Sequence, residues 1–331
     1  MGRFATGLMC LIWTCIMSLP ATAASAEGKV RGKVLVVMSY DDKNDTELEA
    51  AQGIEEVLAG QDVRYFYMDT KNHLEQAAAN AKKAYALYQD FKPEVVIAAD
   101  DTAQEAFVLP YLLHKVPTPI VFCGVNDSAE HYGYPNAQVT GIVEKKHYRQ
   151  SINFAQLIDP NIKKVAVVYR DTPANTINLA QIKREAKDYG VTMVDFVAVE
   201  TKIDLLAALA QLEKKADALF VLNLGGISGP NGEKMEVSES MGLAAKAWPK
   251  PSIAGSKNEI EDGILCGVVK VNLEQGLVAG HMALEILHGK SPAEIPSTEN
   301  QNGQRVINAS TAKRLGLTLK PMVLIGSDIV Q

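Results

Sequence analysis

The stretch PIVFCGVND, residues 119–127, decides how the chain is read. Pro119 to Cys123 is an unbroken apolar run of strand length. It stops at Gly124 and gives way to two polar side chains, Asn126 and Asp127. A run without alternation reads as a strand covered on both faces, the state of strands in a parallel sheet. In an open parallel sheet, ligands bind beyond the carboxyl ends of the strands. The polar ending therefore has three readings: a cap on the next helix, a catalytic carboxylate or a ligand contact.

The flanking sequence repeats the pattern. KVLVVMS (33–39) reads as a strand and leads into a polar loop and a helix. Thr46 and Glu49 form a T-x-x-E capping box there, and Leu48, Ala51, Ile54, Val57 and Leu58 make one apolar face. VRYFYM (63–68), EVVIAAD (94–100), TPIVFCG (118–124) and QVTGIVE (138–144) bring the first half to five strands with helices between them. The pattern then restarts. A helix over about 146–158 precedes KVAVVYR (164–170), VTMVDFVAV (191–199), ALFVLN (218–223), PSIAG (251–255) and GILCGVVKV (263–271). Strands alternating with helices of about 10–15 residues predict βαβ units. The expected fold class is α/β, with two doubly wound parallel-sheet lobes joined by a hinge and a ligand cleft between them. The end of the chain differs. A long helix runs from about Leu273 to Leu287, SPAEIPSTENQNGQ follows as a linker-like stretch, RVINAS is a last strand and TAKRLGL a short helix. That long helix is expected to pack back on the first lobe. Lobe 1 is thus expected to span 27–144 plus about 273–290, and lobe 2 145–272 plus about 300–331.

The chain has 331 residues, 47% hydrophobic and 22% charged, which is a globular composition. Residues 1–26 read as a secretory signal peptide. Arg3 is the only charge, an apolar core runs from Phe4 to Leu19, and small residues at Ala24 and Ala26 suit cleavage before Glu27. Neither Cys10 nor Cys15 has the neighbours of a lipidation site. The net charge of −6 and the lack of any basic cluster speak against a nucleic-acid partner. Cys123 and Cys266 lie in apolar runs and are expected as buried free thiols. No CxxC or Cys/His cluster suggests a metal.

Strand ends supply the candidate site. In the first half they are Ser39, Tyr40, Asp101, Thr102, Asn126 and Asp127; in the second, Tyr169, Thr172, Asn223, Ser256 and Glu259. Most precede a helix start, whose free N–H groups favour a carboxylate. Capping alone accounts for Asp101, Thr102, Asp127 or Thr172 taken singly. Tyr40 and Tyr169 hold equivalent places in the two halves and are expected to flank an apolar part of a ligand. Enzyme signatures are missing. No G-x-S-x-G elbow or G-x-x-x-x-G-K-[ST] loop occurs. GGISGPNGEK (225–234) has the wrong spacing for a phosphate cradle and reads as a mobile loop at the cleft edge.

PTPIVFCGVND, NAQVTGIVE and INFAQLIDPNIKKVAVVYRDTPAN resemble the periplasmic substrate-binding proteins of ABC transporters, in the family that includes tryptophan/tyrosine-binding components. GILCGVVKVNLEQGLVAGHMALEILHGKSPAEIP and VINASTAKRLGL are similar to its C-terminal pattern. The resemblance covers nearly the whole chain after residue 26. It implies a type I periplasmic-binding-protein fold with three crossovers, a small-molecule ligand clamped between the lobes, and no catalysis or cofactor. It also implies a periplasmic and mostly monomeric protein that serves an ABC permease of the inner membrane. The chain departs from the family pattern at NLGGISGPNGEKMEVSES and CGVVKVN, so the ligand is expected to be an amino acid or another carboxylated metabolite. A ligand sensor that signals to a partner protein is the alternative, and an α/β enzyme a third.

Overall fold

The structure, a computed structural model, describes residues 1–2, 31–71, 73–126 and 129–331. Residues 3–26 of the expected signal peptide, and Asp127, lie outside the described residues. In chain order the elements are β1 (Lys33–Met38), α1 (Asp45–Val57), β2 (Asp62–Tyr67), α2 (Ala77–Phe91), β3 (Val95–Ala99), α3 (Asp100–Ala103), β4 (Ile120–Val125) and β5 (Val139–Val143). Then come α4 (Tyr148–Ile158), β6 (Lys164–Tyr169), α5 (Pro173–Glu185), β7 (Thr192–Ala198), α6 (Lys202–Leu212), β8 (Ala218–Val221), α7 (Val237–Ala247), β9 (Ser252–Ile253), α8 (Lys257–Glu261) and β10 (Cys266–Lys270). The chain closes with α9 (Asn272–Leu287), β11 (Thr298–Glu299), β12 (Gly303–Asn308), α10 (Ala309–Arg314), α11 (Pro321–Leu324) and β13 (Ser327–Val330).

Two α/β lobes result, each built on one sheet. The first sheet has the order β11-β5-β4-β3-β1-β2, the second β13-β12-β10-β9-β8-β6-β7. Every pairing is parallel except β10 with β12. The apolar runs are continuous because both faces are covered. In β1, Leu35 and Val37 enter one core while Val34, Val36 and Met38 enter the core on the opposite face. The second sheet divides its residues the same way, with Val165 and Val167 on one side and Ala166 and Val168 on the other. Cys123 and Cys266 are free and buried within these layers.

Sheet membership makes the chain cross between the lobes three times: after β5, after β10 and after β11. The crossings are laced together. Glu144 pairs with Lys270. Lys145 N–H donates to Asn300 Oδ1 (2.6 Å), and Asn300 Nδ2 donates to the Lys145 carbonyl (3.1 Å). Glu274 accepts from the N–H groups of Gln301 and Asn302. These bonds place a narrow, polar hinge at the base of the cleft.

Some local expectations change. Helix α1 starts at Asp45, not Thr46, because Asn44 Oδ1 accepts from Thr46 N–H and caps it. PSIAG narrows to the two-residue β9. The linker-like stretch contains β11, which pairs with β5 and extends the first sheet. The second sheet gains β13 beyond β12.

Candidate functional site

The carboxyl ends of β3, β4, β6, β8 and β9 meet around a cavity of about 720 Å3 between the lobes. From lobe 1, Asp101, Glu105, Asn126 and Tyr132 reach it. Asp101 is the second residue of α3, which follows β3 directly. Its Oδ1 accepts from the Tyr132 hydroxyl (2.9 Å) and its Oδ2 from Asn126 N–H (3.1 Å). The carboxylate is therefore oriented before any ligand arrives.

The lobe 2 wall is built on α5. Thr172 caps it, accepting from Asn175 N–H (3.2 Å), and Pro173 occupies the first turn, where its missing N–H costs nothing. Asn175 is buried and donates to the carbonyls of Arg170 (2.9 Å) and Asn223 (2.8 Å), tying the ends of β6 and β8 to the helix. Thr172, Asn175 and Asn178 are three apart, so they share one helix face toward the cavity. Arg170 Nη1 donates to Gly225 O (2.8 Å), and its Nε lies 3.8 Å from Glu200. Gly226, at φ +85°, lets the loop wrap this guanidinium, because a Cβ there would sit 2.6 Å from Nη1. The loop 225–234 is thus a brace for Arg170 at the cleft wall.

Ser256 precedes α8, and its N–H donates to Glu259 (3.2 Å). Burial pushes the Glu259 carboxyl up, against the hydrogen bonding from Ser256 and the charge of Lys146. Lys146 and Tyr148, from the first crossing and the start of α4, complete the wall. Tyr148 is held edge-on against Phe220.

Of the strand-end candidates, Asp101, Asn126, Thr172, Asn223, Ser256 and Glu259 line this cavity. Four described ones do not. Ser39 is buried, donating to the Ala99 carbonyl (2.7 Å) and accepting from Ala103 N–H (2.9 Å), so it fastens β1 to β3 and α3. Thr102 follows Asp101 on α3 and is turned about 100° away from it. Lys71 sits above the ring of Tyr40, whose phenol proton is held by the nearby Asp100 charge and by burial. Tyr169 packs against the core of lobe 2. The tyrosines that line the cavity are Tyr132 and Tyr148, not the pair expected from the strand ends. Gly124 faces inward. Its φ of +69° and missing Cβ admit Asp100, and its N–H donates to Gln275 Oε1 (2.9 Å), so it serves the interior of lobe 1.

Lys146, Tyr148, Glu105, Tyr132, Asn175 and Asn178 are lining residues outside the strand-end set. Helical spacing from Thr172 points to Asn175 and Asn178. The charged run EKKH between β5 and α4 marks a crossing, and a crossing floors a cleft. Nothing local in the sequence points to Tyr132. Among the described residues, no helix is long and apolar enough to cross a membrane.

A family model described as ABC transporter substrate binding protein matches residues 34–330. A tyrosine-binding protein of Clostridioides difficile is 24% identical over 268 residues, 78% of this chain and 72% of the relative. Among solved structures, a ligand-free, open substrate-binding protein with adhesive properties from Clostridium difficile superposes with a TM-score of 0.71 at 18% identity, covering 91% of this chain and 99% of that one. An ABC domain in complex with L-Trp from Streptococcus pneumonia gives 0.61 at 19% identity, covering 91% and 100%.

Proposed function

The chain belongs to the ABC transporter substrate-binding protein family, and from that membership we propose that its cleft carries a small solute to the permease of an ABC importer. The solute is an amino acid or another carboxylated metabolite. The observation that carries this reading is the cavity between the lobes, with the amino end of α5 on one wall and the oriented carboxylate of Asp101 on the other. The dipole at a helix start favours a carboxylate. Asp101 and Glu105 suit an ammonium. The edges of Tyr132 and Tyr148 suit an apolar side chain. The tyrosine-binding relative and the tryptophan-bound neighbour support an α-amino acid as the first class to try.

The reading involves binding without chemical conversion. It also has the protein secreted through cleavage near residue 26 and working in the periplasm, mainly as a monomer, beside an inner-membrane permease. The two lobes close about the hinge because contacts to the solute from both walls form together only in the closed state.

A thermal-shift screen of the chain from Glu27 onward tests it, with amino acids, organic acids and nucleosides as the panel. A solute present at about 100 times its Kd adds about 2.7 kcal/mol of stability, a rise of several degrees in Tm. No rise with any member of the panel would refute the reading.

A further inference from the structure

Lys146 stands in the first crossing, two residues past Glu144 and two before Tyr148. Its backbone is fixed from both sides. The preceding residue is bonded to Asn300, and the Lys146 carbonyl accepts from Gln181 Nε2 of α5 (2.8 Å). Its stem runs beside Gly255, where a Cβ would lie 3.9 Å from Lys146 Cδ. The side chain is therefore held in place, half-buried, against lobe 2.

The neighbouring cations all have partners. Lys145 pairs with Glu299, Lys270 with Glu144, and Arg170 with the Gly225 carbonyl and Glu200. Of the two acids whose charges act on Lys146, Glu144 is held through Oε2 by Lys270 and Glu259 by Ser256. Among the described residues, the Lys146 ammonium makes neither a hydrogen bond nor an ion pair. It lines the 720 Å3 cavity. It also lines a second cavity of about 580 Å3, which meets the first at Lys146, Gly255 and Ser256. An ammonium partly withdrawn from water without a partner is unfavourable. Burial and repulsion from Lys270 accordingly lower its pKa, while Glu144 and Glu259 oppose this.

We propose that Lys146 is the anion anchor of the cleft, pairing at its floor with the carboxylate of the bound solute. The inference rests on the solute-binding reading and narrows it. The solute must carry a free carboxylate, and the α-carboxamide of the same molecule is discriminated against. Asp101 and Glu105, on lobe 1, are left for the ammonium. The incoming negative charge also relieves the repulsion between Lys146, in the first crossing, and Lys270, at the end of β10.

The test is calorimetric titration of the full chain after residue 26 with L-tyrosine, L-tryptophan, L-leucine and L-serine, each paired with its α-carboxamide. The wild type should prefer at least one acid over its amide by about ten- to a hundredfold, the range of a charge-assisted hydrogen bond. Lys146→Met keeps the stem and removes the charge. It should cut that preference to about threefold or less, and a cooperative urea unfolding transition of the variant shows that it is folded. Lys146→Arg should retain most of the preference. Amides bound as tightly as acids by the wild type would overturn the inference and leave the solute-binding reading standing. So would an acid preference unaltered in Lys146→Met. If no acid or amide binds at all, the amino-acid reading falls and the inference with it.

Discussion

Gly276→Ala should destabilise the protein by about 2–3 kcal/mol, although alanine is the better helix former by about 1 kcal/mol. A Cβ at 276 would lie 1.9 Å from the carbonyl oxygen of Ala50, a backbone atom that a rotamer change cannot clear. Gly53, on the facing side of α1, is in the same position, with its Cβ site 2.5 Å from the Leu273 carbonyl. The helices α1 and α9 thus touch backbone to backbone. Because α9 follows the second crossing directly, this seam anchors one arm of the hinge to lobe 1. Chemical denaturation of the wild type and Gly276→Ala measures the cost. An unchanged or higher unfolding midpoint would mean that the two helices do not lie this close.

Glu47→Gln should make the protein more stable at pH 8, by a margin on the order of 3 kcal/mol that vanishes toward pH 4.5. Glu47 is 1% exposed, and its Oε1 accepts from Tyr40 N–H (2.9 Å). Burial pushes its carboxyl up to about 7, against the hydrogen bonds from Tyr40 and Asp100 and the charge of Lys270. Asp100 is shifted the same way, by burial first and then by Glu47 and Glu144. The sign follows from the direction. Below about 4.5 the group is protonated in both the folded and the unfolded chain, so it exacts no penalty. Above about 7 it is ionised in both, and the folded state bears the cost of a buried charge. Stability therefore falls as pH rises between those values, and glutamine, which keeps the acceptor oxygen, removes the part of the slope that Glu47 contributes. Urea titrations of both proteins at pH 5, 7 and 8 read the difference. A glutamine variant less stable than wild type at pH 8 would contradict this account of the cluster.

The inner strands β1, β3, β4, β6 and β8 are legible in the sequence because each is a continuous apolar run, and burial on both faces is what such a run requires. The family resemblance and the two-lobe fold are borne out by the match over residues 34–330 and by the sheets themselves. The strands that were not legible carry no such signal. Thr298–Glu299 is exposed on both residues, and Ser327–Val330 joins the edge of a sheet with two exposed residues in four. Their pairing is a tertiary event. The candidate site divides on the same line. Thr172, Ser256 and Asn126 reach the cavity because strand ends in a parallel sheet converge there. Tyr40 and Tyr169 occupy matching positions in the two halves, but local packing turns both away. Lys146 and Tyr132 become lining residues only through the crossing and the loop that carry them. In PIVFCGVND, the glycine serves the buried Asp100, while Asn126 holds the Asp101 carboxylate.

The central claim is that a solute draws the two lobes together across this cleft. Small-angle scattering measures that directly, on the chain from Glu27 onward, with and without a solute that raises its Tm. The account predicts a smaller radius of gyration for the loaded protein. A solute that stabilises the chain but leaves the radius of gyration unchanged would contradict it.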